Sequence, residues 1–317
     1  MFFYWERVVD FLVYSLFGFN KNEHLAQALH FFIYDTIKIF ILLVSIIYLV
    51  TILRSYFPVE KARAFISGKN RITGHILAAI FGVITPFCSC SAIPLFLGFL
   101  QARIPLGVTF SYLISAPLSD AVVIALLLSL FGWKIALLYV LVGLAIAIIA
   151  GLIIGGLNLE KEVLIEVKPM NIDFNEEEVS FKSRLKESWE FTKDIFNKIY
   201  IYVIIGVGIG AFIHGYVPTD FISKYAGGDV WYAPIVAVIM GIPMYSNAAG
   251  ILPLVEVLTS KGMLLGTALS FMMAVVALSL PEAMILKRVL SVKLISIFFG
   301  IVGFGILIVG YLFNIIL

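Results

Sequence analysis

Thr85-Pro86-Phe87-Cys88-Ser89-Cys90-Ser91-Ala92-Ile93-Pro94 lies inside an apolar run, Ile72 to Ala102, that holds no Asp, Glu, Lys or Arg over 31 residues. The run is longer than one membrane crossing requires. Proline inside a helix removes a backbone donor and clashes with the preceding turn. The stretch therefore predicts two half-helices separated by irregular backbone at 86–94. Such backbone is tolerated at membrane depth only where protein buries it or it lines a watery cavity. Transporters use breaks of this kind to aim helix ends and carbonyls at a solute, so the break is the first candidate binding site.

The rest of the chain fits that reading. Of its 317 residues, 62% are hydrophobic and 13% charged, and the mean hydropathy is +1.06. Apolar runs of about 20 residues, the length that crosses a bilayer, recur from end to end. The expected class is an all-α polytopic membrane protein. A net charge of +2 gives no reason to expect a nucleic-acid partner. Two cysteines make no disulfide framework. Glu6, Arg7 and Asp10 interrupt the first twenty residues, unlike a cleaved signal, and Trp5 beside them suggests a segment lying in the interface. No P-loop and no zinc-protease motif is present, so neither an enzyme nor a cofactor is expected.

In chain order, residues 1–30 form the interfacial segment and 31–157 a first transmembrane repeat. Residues 158–193 form a charged, partly helical linker, and 194–317 a second repeat. Spans are expected at 36–53, 135–157, 199–216 and 294–317. Residues 104–131 are interrupted at Pro117 and Asp120, and 263–281 run up to Pro281-Glu282. The second half has its own break, Gly241-Ile242-Pro243-Met244-Tyr245-Ser246-Asn247-Ala248-Ala249-Gly250, with Pro253 beyond. An offset of 159 pairs Gly82 with Gly241, Pro94 with Pro253, Gly107 with Gly266 and Ser111 with Ser270. Spans, breaks and prolines keep their order, which reads as a duplication.

Each half is expected to make three spans plus one broken hairpin. That is an odd number of crossings, so the copies should be inverted. Basic residues bear on this. With the 54–71 loop inside, Arg103, the linker and the 287–293 turn are inside too. These four segments carry fifteen Lys and Arg, against five in the outside segments. The expected topology has both ends outside and the linker inside. The two breaks, 86–94 and 243–253, should then meet near the membrane centre as one site.

Cys88 and Cys90 are the only cysteines. As small apolar residues they could serve only close helix packing. As thiolates they suit soft ions and thiophilic metalloids, with two sulfurs too few for a closed tetrahedral site. They are the candidate metal ligands. The candidate solute site comprises Pro86, Cys88, Ser89, Cys90 and Ser91 with Tyr245, Ser246 and Asn247. Asp120 and Glu282 interrupt apolar runs, where an idle carboxylate costs about 2.5–3.5 kcal/mol on insertion scales. They are the candidate coupling residues, read as equivalent at an offset of 162. A span-end position near the interface is the plainer reading of both.

Pro86-Phe87-Cys88-Ser89-Cys90-Ser91-Ala92-Ile93-Pro94-Leu95, with Ser115-Ala116-Pro117-Leu118-Ser119-Asp120, resembles the predicted permease family of YraQ-like proteins and ArsP-type organoarsenical exporters. Gly241-Ile242-Pro243, Tyr245-Ser246-Asn247-Ala248-Ala249-Gly250 and Leu278-Ser279-Leu280-Pro281-Glu282 are similar to that family's second signature. The resemblance covers roughly residues 30–317. It implies a multi-pass permease in the inner membrane of a bacterium or archaeon. Its substrate would be a small molecule or soft ion, with trivalent arsenicals and soft metals among those linked to members. The leading expectation is efflux of a small thiophilic solute by alternating access. The alternative is a transmembrane thiol, redox or sulfur-compound carrier working with a thioredoxin-like partner, as some members are associated with such proteins. The oligomeric state is not fixed by the sequence.

Overall fold

A computed structural model describes residues 2–20, 23–56, 71–85, 89–101, 104–164, 181–216, 230–244 and 248–316. Among these the chain is helical, apart from one isolated antiparallel bridge between Val163 and Leu290. The helices are α1 (Phe2–Asp10), α2 (His24–Tyr56), α3 (Arg71–Ile84), α4 (Ser89–Gln101), α5 (Leu106–Leu118), α6 (Ala121–Phe131) and α7 (Trp133–Gly156). Then follow α8 (Phe181–Tyr216), α9 (Ala233–Gly241), α10 (Ala248–Ser260), α11 (Leu265–Ala277), α12 (Leu280–Leu286) and α13 (Val292–Ile316). Among the described residues four stretches are long and apolar enough to cross a membrane: Leu25–Leu49, Trp133–Gly156, Leu265–Leu286 and Val292–Ile316. The pair α5 and α6, bent by 45°, makes a fifth if taken as one span. The chain is a multi-pass membrane protein.

Two helices run beyond the apolar spans. Helix α8 starts at Phe181, inside the linker. Its first turns carry Lys182, Arg184, Lys186 and Glu187, good helix formers that are too polar to span. Helix α2 likewise begins at His24, ahead of the expected span. The segment before it folds back on it. Asp10 pairs with His30 at 2.9 Å, His30 stacks between Tyr14 and Tyr34, and the Trp5 indole N–H donates to the Tyr34 carbonyl.

The helices sort into two compact units that do not follow the sequence halves. One gathers residues 1–41, 201–285 and 303–317, and the other 42–200 and 286–302. In the second of these, α5 is central. It packs on α3, α4 and α7, and every residue from Leu106 to Leu118 is buried. Its Gly107, Thr109, Ser111, Ser115 and Ala116 are small enough to let neighbouring backbones close in. Ser115 Oγ donates to the Ala79 carbonyl at 2.6 Å, and His75 Nδ1 and Ser111 Oγ share a hydrogen bond of 2.9 Å. In the other unit α11 is central. It packs on α9 and α10, and is buried from Gly266 to Ala277.

Outward faces are apolar, as lipid demands. On α7, Leu137, Leu141, Ile149 and Ile153 are exposed at intervals of whole turns, while Tyr139, Gly143, Ala147, Ala150 and Ile154 are buried. On α13 the exposed stripe is Phe304, Ile308, Leu312 and Ile315. Beyond α7 the chain is clamped to the turn before α13. The Leu164 N–H donates to the Val289 carbonyl, and the Ser291 N–H to the Glu162 carbonyl. Ser291 and Lys293 hold the Glu162 carboxyl below the usual range through hydrogen bonds.

Helix starts repeat in step. Ser89 and Ala248, Leu106 and Leu265, Ala121 and Leu280, and Trp133 and Val292 open α4/α10, α5/α11, α6/α12 and α7/α13, each pair 159 residues apart. Pro105 and Leu264 precede the central helices with φ/ψ of −52°/135° and −60°/141°. Ser119 and Leu278 end them at −123°/34° and −130°/27°. These positions also lie 159 apart.

Candidate functional site

The two proline breaks are shorter than expected. Helix resumes at Ser89 and at Ala248, so Ser89, Cys90, Ser91 and Pro94 belong to α4 and Pro253 to α10. The reason is positional. The first turn of a helix has donors to spare, and a proline further in costs one donor without ending the helix when its surroundings hold it. Pro94 offers no N–H to the carbonyl of residue 90, and Pro253 none to that of residue 249. In each helix one carbonyl thus lacks its usual i+4 donor, one turn from the break. Pro86, Phe87, Cys88, Tyr245, Ser246 and Asn247 lie outside the described residues. Of the proposed solute site, the structure places the backbone of Ser89, Cys90 and Ser91 in the first turn of α4.

The approaches to the breaks are described. Thr85 closes α3, its N–H and its Oγ1 both donating to the Phe81 carbonyl at 3.1 and 2.9 Å. At the other break the Met244 N–H donates to the Gly241 carbonyl. The Ile242 carbonyl, which α9 no longer uses, accepts the N–H of Leu280 at 3.0 Å. That bond ties the second break to the join between α11 and α12, where Glu282 stands.

The two candidate carboxylates differ. Asp120 is half-buried at the bend between α5 and α6, and its carbonyl accepts the Ile124 N–H. It is also within electrostatic reach of Tyr139. Glu282 is 1% exposed, and neither carboxylate oxygen has a hydrogen-bond partner. The equivalence read at an offset of 162 does not hold. Helix starts keep 159 across this region, leaving no room for three inserted residues. Asp120 matches Ser279, and Glu282 matches Val123.

Three hydroxyls near these groups were not singled out in the sequence. Ser119 Oγ, Tyr139 OH and Ser279 Oγ are buried without partners. Ser119 faces α7, its Oγ 3.4 Å from where a Cβ on Gly143 would sit, one turn after Tyr139. Hydroxyls in apolar helices commonly bond a carbonyl one turn back, as Thr109, Thr192 and Ser270 do here. Only coordinates separate those three from the orphans. Among the described residues no group of three or more His, Cys, Asp or Glu could hold a metal ion.

A sequence pattern described as a predicted permease matches residues 24–315, nearly the whole chain. The chain belongs to the ArsP-type family of predicted permeases. The UPF0718 protein MJ0584 of Methanocaldococcus jannaschii is 23% identical to this permease over 80% of its chain and 85% of the relative. The UPF0718 protein YraQ of Escherichia coli is 22% identical over 77% and 68%. A Streptococcus mutans protein named as a candidate subunit of a two-component membrane permease complex is 22% identical over 54% and 56%. No solved structure matches the chain. A transporter, and not an enzyme, is what these relatives point to.

Proposed function

We propose that this permease is a secondary transporter that exports a small thiophilic solute, such as a trivalent arsenical or a soft metal species, across the inner membrane by alternating access. The observation that carries the reading is the pair of proline breaks, each ahead of a 13-residue helix and 159 residues apart, with the chain's two cysteines at one of them. A thiol pair at a membrane-depth break offers soft ligands near backbone carbonyls that lack their usual helical donor. Everted vesicles from cells making the protein should accumulate trivalent arsenicals faster than control vesicles, and arsenate no faster. Equal accumulation for every thiophilic solute tried would remove the reading.

The halves are read as inverted duplicates. The common register of helices and caps supports duplication, and the fifteen-to-five bias of basic residues supports inversion. The expected topology places Glu177 inside and Asp220 outside. In a Cys88→Ser, Cys90→Ser background, an impermeant maleimide applied to intact cells should label Asp220→Cys and spare Glu177→Cys. The opposite pattern would reverse the topology.

Asp120 and Glu282 are the proposed coupling residues, Glu282 with the stronger claim. Asp120→Asn and Glu282→Gln should fold and lose gradient-driven transport by about tenfold or more, the usual size of a general acid–base contribution being at least that. Full transport by both variants with an unchanged pH profile would end the coupling proposal.

A further inference from the structure

We propose that Glu282 and Ser279 form a site for one small monovalent cation, sodium or a proton. The site names the coupling ion class of the proposed transporter, and it rests on that reading only for the coupling role, because occupancy is measurable without transport.

Three oxygens make the case. Both carboxylate oxygens of Glu282 and Ser279 Oγ are buried and lack hydrogen-bond partners. The two residues are three apart across the join between α11 and α12, exposed to 1% each. The surrounding helices bring nothing to balance a carboxylate. Helices α9 and α11 hold no ionisable side chain, α12 holds Glu282 alone, and α10 holds only Glu256, which is exposed; α13, whose Gly303 lies against Leu278, holds Lys293, exposed and paired with Glu162, and Tyr311, whose hydroxyl donates to the Trp231 carbonyl. An ionised carboxylate is not left so in an apolar interior. It takes a proton or a cation, or it faces a partner. Among the described residues no hydrogen-bond donor reaches either oxygen of this one.

The donor set fixes the chemistry. Carboxylate and hydroxyl oxygens suit hard ions, whereas thiolates suit soft ones. The oxygens of Ser279 and Glu282 and the sulfurs of Cys88 and Cys90 therefore select different ligands. A carboxylate with one hydroxyl carries a single negative charge, which a monovalent ion neutralises and a divalent ion would overshoot. The hydrogen bond from Leu280 to the Ile242 carbonyl fixes this join to the end of α9, next to the second proline break. Occupancy of the oxygen site would thus act on the backbone leading into Pro243. The other half does not repeat the site: Asp120 and Val123 stand at the matching positions. One cation per chain follows.

The test uses the full chain in lipid nanodiscs and reads the thermal midpoint by intrinsic tryptophan fluorescence. In the first series sodium replaces choline from about 1 to about 100 mM at constant ionic strength. A ligand held only by the folded state raises the midpoint with concentration, by roughly 5 °C over such a range. In the second series sodium is absent and the pH runs from about 6 to about 9. A proton held by the folded protein stabilises it at low pH, and that stability is lost as the pH rises. The wild type is expected to respond in one series, which identifies the ion. Glu282→Gln should flatten that response, and Ser279→Ala should weaken it. Identical slopes for wild type and Glu282→Gln in both series would overturn the site. Should Glu282→Gln not fold, Glu282→Asp and Ser279→Ala are read the same way, and slopes equal to wild type in both would overturn it. Flat slopes with intact arsenical export would reject the cation site and leave the transporter standing. A cation response in protein that moves no solute would do the reverse.

Discussion

Leucine at Gly151 is expected to leave almost no folded protein, and leucine at Gly310 to do the same. A Cβ on Gly151 would land on the Ser111 side chain, 2.7 Å from the Gly107 carbonyl oxygen and 3.0 Å from His75 Nδ1. A Cβ on Gly310 would sit 2.9 Å from Ser270 Cβ and Oγ and 3.2 Å from Pro234 Cβ. Helix α7 thus crosses α5 backbone to backbone, and α13 crosses α11 in the same way. Neither crossing can widen cheaply, because the Gly107 carbonyl and the His75 ring bound the first, and Ser270 and the Pro234 ring bound the second. Overpacking a fitted interior costs about 1–3 kcal/mol or more, and total stabilities are only about 5–15 kcal/mol. Alanine should lower the midpoint by several degrees and leucine should abolish the monodisperse peak in fluorescence-detected size exclusion. Gly300 is the control, since no atom lies within 4 Å of its Cβ position, and Gly300→Leu should behave as wild type. A monodisperse, stable Gly151→Leu would show that the close crossing does not hold this unit together.

Those glycines show how far the sequence could be read. The offset of 159 rested on scattered identities such as Gly82 with Gly241 and Ser111 with Ser270. In the fold these are packing positions. A Cβ on Gly82 would meet Ser115, and one on Gly241 would meet Ala274, the residue 159 further on. Gly107 faces Gly151 and Gly155, and Gly266 faces Gly310 and Asn314, again in step. Small residues stand where backbones touch in both halves, so sparse identity still carried the register. Apolar runs marked the stretches near Leu25–Leu49, Trp133–Gly156, Leu265–Leu286 and Val292–Ile316 because bilayer thickness fixes their length; the expected span at 199–216 is not among these.

Other features were out of reach. Hydropathy reports that a segment is apolar and says nothing of which neighbour covers it, so α5 and α11 could not be recognised as the buried helices. Prolines marked the breaks but overstated their length, since a helix whose ends are held elsewhere tolerates one. Glu282 was visible as a charge in an apolar run. Its lack of any partner, and the neighbouring orphan hydroxyl of Ser279, depend on rotamers and packing that no single sequence displays. The pairing of Glu282 with Asp120 failed because two prolines followed by acids look alike at any offset.

Serine at both Cys88 and Cys90 is expected to abolish export of trivalent arsenicals while leaving the protein folded and inserted. Serine nearly matches cysteine in size but replaces a soft sulfur by a hard oxygen, so packing is kept and soft-ligand affinity is lost. Changes even in the groups that support a metal ligand cost about 10–100-fold, and loss of the ligands themselves should cost at least roughly tenfold in uptake by everted vesicles. Each single serine variant should fall short of wild type, because one thiol holds a thiophilic solute less well than two. The cation response assigned to Glu282 and Ser279 should be unchanged in the double variant, since its donors are oxygens. Thiol exchange with a thioredoxin-like partner predicts a different pattern. An attacking thiolate forms a mixed disulfide that the neighbouring thiol resolves, so one of the two single variants would trap a partner in a complex that reductant releases. Wild-type export by the double variant, with no trapped complex from either single one, would return both cysteines to the role of small packing residues.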